Sequence, residues 1–238
     1  MNVLIVHAHP EPQSFCTAMK DRMVHLFESM GHTVAVSDLY AKSFNPVASA
    51  SDFSDRSNRD YLVYALEQRH ATKTGTLSDD IAAELDLLKQ ADLLILNFPI
   101  YWFSLPAILK GWIDRVFLSG VVYGGRNFYD RGLMRGKRAM LTFTLGGREH
   151  MFGPGSVHGP LNDLLKPVLQ GSLGYAGFEV LEPFAAYHVP YISDEARQQT
   201  MLDLDVCIRG LDHRVSLPMP SLDHFDAQMN PIAGKPTA

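Results

Sequence analysis

FPIYWFSLPAILKGWIDRVFL, residues 98–118, decides the fold. Before it, Ala91-Asp92-Leu93-Leu94-Ile95-Leu96-Asn97 is a short, almost continuous apolar run, the pattern of a central parallel strand covered on both faces. After it, Pro106 suits a first helical turn, where a missing N–H is tolerated, and Leu109, Ile113, Val116 and Phe117 recur at helical spacing. Between them, Pro99-Ile100-Tyr101-Trp102-Phe103-Ser104 sits at the carboxyl end of the strand, where open α/β sheets bind ligands. Taken singly, Trp102 and Phe103 read as core or interface aromatics; in this position they read as a binding shelf.

The same alternation extends outward in both directions. Asn2–Ala8 is a buried strand, and Cys16–Met30 is an amphipathic helix with Met19, Met23, Leu26, Phe27 and Met30 on one stripe and Gly31 just beyond its end. Thr33–Asp38 resumes a strand. Residues 40–78 are polar and lack clear periodicity, which predicts either disorder or a functional loop. A helix over Asp79–Gln90 leads into the 92–97 strand. Arg138–Leu145 is a further strand ending in Gly146-Gly147. A helix near Leu161–Tyr175, a strand over Phe178–Ala186 and a helix over Ser193–Gly210 complete the order. The spacing predicts an α/β chain with a doubly wound five-stranded parallel sheet and helices on both faces. Residues 1–210 form one expected domain, and 211–238, with four prolines, an extended C-terminal arm.

Composition narrows the function. A chain of 238 residues can bury roughly 70–75% of its unfolded surface as one domain. A net charge of -5 gives no cationic footprint for nucleic acid, and no apolar run approaches the ~18 residues of a membrane span. Val3-Leu4-Ile5-Val6 begins a strand where a secretory leader would place basic residues, so a cytoplasmic protein is expected. Two cysteines, Cys16 and Cys207, are too few for a cluster or disulfide framework and read as reduced packing residues. No HxxxH or HExxH spacing occurs, so no metal site is expected. The loop His7-Ala8-His9-Pro10-Glu11-Pro12-Gln13-Ser14-Phe15-Cys16-Thr17 has no glycine, which disfavours both a dinucleotide GxGxxG and a P-loop. It nevertheless runs into a helix start and carries His9, Gln13, Ser14 and Thr17, donors suited to a phosphate; the alternative is that Ser14 merely caps the helix.

HAHPEPQSF, FPIYWFSLPAILKGWIDRVF, TLGGREHMFGPGSVHG and GFEVLEP, in this order, resemble the NAD(P)H:quinone oxidoreductases of the DT-diaphorase type, which have a flavodoxin-like fold. The resemblance spans roughly residues 2–210, and PSLDHFD in the tail is more weakly similar. It implies a homodimer with FAD at the carboxyl edge of the sheet, NAD(P)H as electron donor, and ping-pong reduction of a quinone-like small molecule. Carried over by position, His9, Ser14, Phe15 and Thr17 line the FAD pyrophosphate, with Cys16 where the family commonly has asparagine. Pro99, Ile100, Tyr101, Trp102 and Phe103 support the flavin ring, Thr144, Leu145, Gly146 and Gly147 hold its polar edge, and Arg197 lies near adenine. The extra 40–78 segment offers a surface for adenosine, which favours FAD over FMN.

The resemblance also assigns a catalytic group. His158 matches a family histidine beside the flavin, and Tyr123 a tyrosine that closes the substrate pocket from the partner subunit. Phe152 stands where the family has a tyrosine, and a phenyl ring cannot donate a hydrogen bond. Either His158 works alone, Tyr101 or another group substitutes, or the substrate is less demanding. Tyr101, Trp102, Phe103, Tyr123 and Phe152 together predict an aromatic lid over a closed cavity. Two other functions fit the same residues: an FMN-dependent azo- or nitro-reductase, and a flavin-binding regulatory or electron-transfer partner, which would expose its flavin edge.

Overall fold

The chain, in a computed structural model describing residues 1–235, has six strands: β1 (Asn2–His7), β2 (Thr33–Asp38), β3 (Leu93–Pro99), β4 (Arg138–Thr144), β5 (Glu179–Val180) and β6 (Phe184–Ala186). All pairings are parallel, in the order β2-β1-β3-β4-β5, with β6 also on β4. This is the flavodoxin-like doubly wound sheet. The single strand predicted over Phe178–Ala186 is therefore two pieces on one edge. They part at Leu181-Glu182-Pro183: Pro183 has no N–H for the ladder, and Glu182 N–H turns to Val215 O at 2.8 Å.

Alternation within the apolar runs builds two cores. Leu4, Val6, Leu94, Leu96 and Phe98 face α3 (Asp79–Gln90) and α4 (Ala107–Val116), meeting Leu88, Leu109 and Trp112. Val3, Ile5, Leu93 and Ile95 face α1 (Phe15–Ser29) and α7 (Asp194–Arg209), meeting Met19, Met23, Phe27, Leu204 and Ile208. Each such residue contributes roughly 1.5–3 kcal/mol by leaving water. The helix predicted over Leu161–Tyr175 is broken into α5 (Leu161–Leu164), α6 (Lys166–Val168) and a π-helical stretch, Leu169–Gly174. Pro167 removes an N–H at the first break, and the wide turn leaves Gly174 against Met219 Sδ, where a Cβ would displace the methionine side chain.

Residues 40–78 are not an irregular stretch. They hold a 3₁₀ turn (Ala50–Asp52) and a helix, α2 (Tyr64–Thr74), whose buried face is Glu67, Gln68 and Ala71. That polar face is why no apolar period announces it. Glu67 accepts the Ser57 and Asn58 N–H groups at 2.7 and 3.0 Å, and Gln68 Oε1 accepts Ser119 N–H at 3.0 Å. The segment is clamped to α4 by Arg115, 3% exposed, against Asp52, 1% exposed, at 2.8 Å; Arg115 also reaches Asp80 at 2.6 Å and Asn45 O at 2.8 Å. Gly111 lets Pro46 sit directly on α4, where any Cβ would enter the Pro46 backbone.

Residues 215–217 run along the outer edge of β5. Leu217 N–H donates to Val180 O at 2.8 Å, Asp130 accepts Leu222 N–H at 3.1 Å, and Leu222 is buried. The edge is covered by an antiparallel bridge between Leu181 and Ser216.

Arg115→Leu leaves the Asp52 carboxylate buried without its partner cation, and a loss of about 3–5 kcal/mol of stability is expected. Urea unfolding of parent and variant checks this, and a change below about 1 kcal/mol would show that the clamp is dispensable.

Candidate active site

Parallel pairing ends β1, β3 and β4 at one edge, and two adjoining clefts open there. The larger, about 380 Å³, is lined by His9, Ser14, Phe15, Cys16, Pro99, Ile100, Tyr101, Thr144, Leu145, Gly146 and Arg197, all predicted from sequence. Val189 and Pro190 complete it and carry no sequence signal. The smaller, about 260 Å³, is lined by Trp102, Phe103, Gly147, Phe152 and His158, with Leu161, and shares Ile100, Leu145 and Gly146 with the first. No residue of 40–78 lines either cleft.

The start of α1 forms one wall. Ser14 caps the helix, its Oγ accepting Thr17 N–H at 3.1 Å, so the capping role is real; Ser14 nevertheless faces the cleft as well. The first turn contains no acidic residue, and the Phe15 and Cys16 N–H groups have no backbone acceptor among the described residues. Such a terminus favours an anion. Thr17 differs from expectation: it is buried and turned inward, toward His7 Nε2 (3.2 Å) and Glu11 O (3.1 Å). His9 Nδ1 accepts Glu11 N–H at 3.0 Å, and burial lowers its pKa, so the neutral ring carries its hydrogen on Nε2. Burial also pushes the Cys16 thiol up to about 12, which makes it an inert neutral group in the wall. Arg197 lies over the Phe15 ring at 5.9 Å, at the far end of the cleft.

The opposite wall is a strained turn. Tyr101 and Ser104 exchange both backbone hydrogen bonds, at 3.1 and 3.0 Å, and the two residues between them, Trp102 and Phe103, have φ of 51° and 57°. That is a type I′ turn, whose central positions normally take Asn-Gly. Bulky residues there cost of order 1–3 kcal/mol each. Trp102 is 97% exposed, so its ring is not core; it lines the smaller cleft from the outside, and the predicted lid stands open in the single chain.

Behind this turn, His158 lies between two rings, with Phe103 and Phe152 centroids each 5.1 Å away. Gly147 is required by close packing, since a Cβ would lie 2.7 Å from Phe152 Cε2, whereas a Cβ on Gly146 would enter open cleft space. His188, also unsignalled by sequence, holds both glycines by donating from ring Nδ1 to Gly146 O (2.8 Å) and from its backbone N–H to Gly147 O (2.9 Å). Tyr123 is not brought to His158 within one chain. It lies in a separate cavity beside Tyr175, at 5.9 Å, on a loop tethered by Arg69 Nε to Ser119 Oγ at 2.8 Å.

An elongated slot with an apolar, backbone-lined end and an anion-favouring helix start suits a flat heteroaromatic carrying a phosphate tail. Residues 1–205 match the flavodoxin-like fold family. The chain is 42% identical over 199 residues to NAD(P)H dehydrogenase (quinone) 1 of Rattus norvegicus, covering 83% of this chain and 73% of that protein. It is 42% identical over 197 residues to the ribosyldihydronicotinamide dehydrogenase (quinone) of Homo sapiens, covering 82% and 85%. A solved structure from Klebsiella pneumoniae, assigned to the quinone reductases, superposes with a TM-score of 0.89 at 34% identity over 97% of this chain and 93% of that one. The order of the four sequence motifs, the strand order and these relatives agree, and the chain belongs to the NAD(P)H:quinone oxidoreductase family of flavodoxin-like fold.

Proposed function

We propose that the protein is a cytoplasmic, homodimeric oxidoreductase that binds one FAD per chain and carries out two-electron, ping-pong reduction of quinones or related small electrophiles with NAD(P)H. The observation that carries this reading is the pair of contiguous clefts, one shaped for a nucleotide and the other lined by aromatic rings around His158. The residues fit a flavin. Gly146 leaves a cradle that a Cβ would fill, Pro99, Ile100 and Tyr101 supply one wall, and the α1 start faces the phosphate-bearing tail. Continuation of the cleft past Ser14 to Arg197 over Phe15 supports a second, adenylate half, since a guanidinium on a ring face gives a flat charged shelf.

The flavin, when bound, supplies the capacity to accept and return a hydride. The chain's residues orient the partners and stabilise charge. His158 is the proton-capable group in the smaller cleft, and the flanking rings of Phe103 and Phe152 fix its plane. Phe152 packs against Gly147 and offers no hydrogen of its own, so His158 carries alone the role that a tyrosine shares in the family. The exposed Trp102 and the separate position of Tyr123 support closure of each site by a second copy, Tyr123 coming from the other subunit.

The released chromophore is expected to be FAD, about one per chain by mass and absorbance; FMN alone would transfer the reading to the azo- and nitro-reductase class. Sedimentation is expected to show a dimer, and a fully active, concentration-independent monomer would contradict closure by Tyr123. Trp102→Gly relieves the positive φ and is expected to retain the fold while raising the quinone KM roughly two- to tenfold, the loss of an aromatic contact worth ~0.5–1.5 kcal/mol; an unchanged KM would leave the turn without a role. His158→Gln is expected to slow the NAD(P)H half-reaction in stopped flow far more than it weakens FAD affinity, and Phe152→Tyr to raise that rate or leave it unchanged. A parent-like half-reaction in His158→Gln would reduce His158 to a turn residue.

A further inference from the structure

Behind the first turn of α1 lies a buried string of polar side chains that none of these roles employs. His7, at the end of β1, is buried. Its Nδ1 is 2.6 Å from Asn97 Oδ1 and its Nε2 is 3.2 Å from Thr17 Oγ1. Thr17 Oγ1 is in turn 2.9 Å from Ser14 Oγ and 3.1 Å from Glu11 O. Ser14 lines the larger cleft, so the string connects a buried imidazole to the wall of the cofactor site.

Hydrogen-bonding capacity fixes the directions. The Asn97 amide nitrogen faces the Thr142 carbonyl (3.5 Å) and hydroxyl (3.0 Å). A carbonyl only accepts, so Oδ1 is the end that meets His7 and the Cys16 thiol, 3.4 Å away, and His7 Nδ1 must carry a hydrogen. In the neutral ring Nε2 is then an acceptor, and the single Thr17 hydroxyl hydrogen is shared between Nε2 and Glu11 O, the two acceptors within its reach. Thr17 accepts from Ser14, whose hydrogen thereby points away from the cleft. Protonation reverses the string. Nε2 donates to Thr17 and the Thr17 hydrogen turns to Glu11 O; Thr17 Oγ1 then has one lone pair left for Ser14, and a phosphate oxygen in the cleft competes with it for the Ser14 hydrogen.

We propose that His7 is a positioning residue for the phosphate of the nucleotide cofactor: its proton occupies one acceptor site of the Thr17 oxygen and so favours Ser14 as a donor to the cleft, and phosphate binding at the start of α1 draws that proton onto it. The inference rests on the flavin-nucleotide reading of the cleft. In the ligand-free chain burial lowers the His7 pKa, opposed by the Asn97 hydrogen bond and by Asp38 at the end of β2, and reinforced by Lys20 on α1 and His9 beyond β1. The free protein therefore holds His7 neutral at neutral pH. A bound phosphate adds negative charge and an acceptor for Ser14, which raises the pKa. Reciprocity sets the sign: affinity is highest and flat below the free-protein pKa, falls as pH rises from there to the bound-state pKa, and is flat and weaker above it. A rise of one unit makes the nucleotide bind about tenfold more tightly at the low-pH limit than at the high-pH limit.

The test uses full-length apoprotein titrated calorimetrically with FAD, FMN and riboflavin, in two buffers of different ionisation enthalpy, between about pH 5 and 8, where a histidine titrates. FAD and FMN are expected to take up a proton on binding and to bind more weakly as pH rises, and riboflavin, which has no phosphate, to do neither. His7→Gln is expected to bind FAD without that uptake, and Thr17→Val, which cuts the string, to show reduced uptake. Nitrogen-detected NMR of the parent's histidine rings reads the same event without a variant, as Nε2 of His7 gains a hydrogen when FAD is added. FAD binding without proton uptake, or uptake that persists in His7→Gln and so belongs to His9, overturns the role of His7. Failure of all three flavins to bind at any pH overturns the cofactor reading, and the proposal with it.

Discussion

Strand β3 is buried on both faces along its whole length, and this constraint fixes the rest. A strand with two cores cannot slip by one residue against its neighbours without exchanging every side chain between them. Its register on β1 and β4 therefore sets His7 beside Asn97, Asn97 beside Thr142 and Pro99 beside Thr144. Those pairs place the polar string, the aromatic turn and the glycine loop at one edge. The cleft is thus a consequence of sheet register before it is a property of the loops that line it.

Much of this was legible from the chain. The continuous apolar runs gave the parallel sheet, and the motifs at the strand ends named eleven of the residues that line the larger cleft. Legibility failed where a segment is held by polar contacts. Helix α2 turns Glu67 and Gln68 inward, so hydrophobic periodicity is blind to it. The π-helical stretch and the divided edge strand depend on Pro167, Pro183 and the returning arm, which are long-range events in sequence. Val189, Pro190 and His188 reach the site on a loop with no motif, and His7 reads as one more residue of an apolar strand.

The turn at Tyr101–Ser104 inverts the usual relation between conformation and side chain. Positions that favour Asn and Gly carry two bulky aromatic residues, and one of them is almost wholly in water. A chain optimised for stability alone would not retain this arrangement, so the strain belongs with the function of the rings. Phe103 already presses His158 against Phe152, which ties the turn's backbone to the orientation of the proton-capable group. A change at the turn is in this way transmitted to the imidazole through ring packing, without any polar contact.

The arm that follows Leu211 has a consequence for synthesis. Its pairing with Leu181 and Val180 spans more than thirty residues, and the β5 row has no other covering strand among the described residues. During translation the sheet can assemble from β1 to β6 while this edge still presents free N–H and C=O groups. The edge closes only once residues 215–222 have emerged, leaving an interval in which a nascent chain can pair with its neighbour on a polysome.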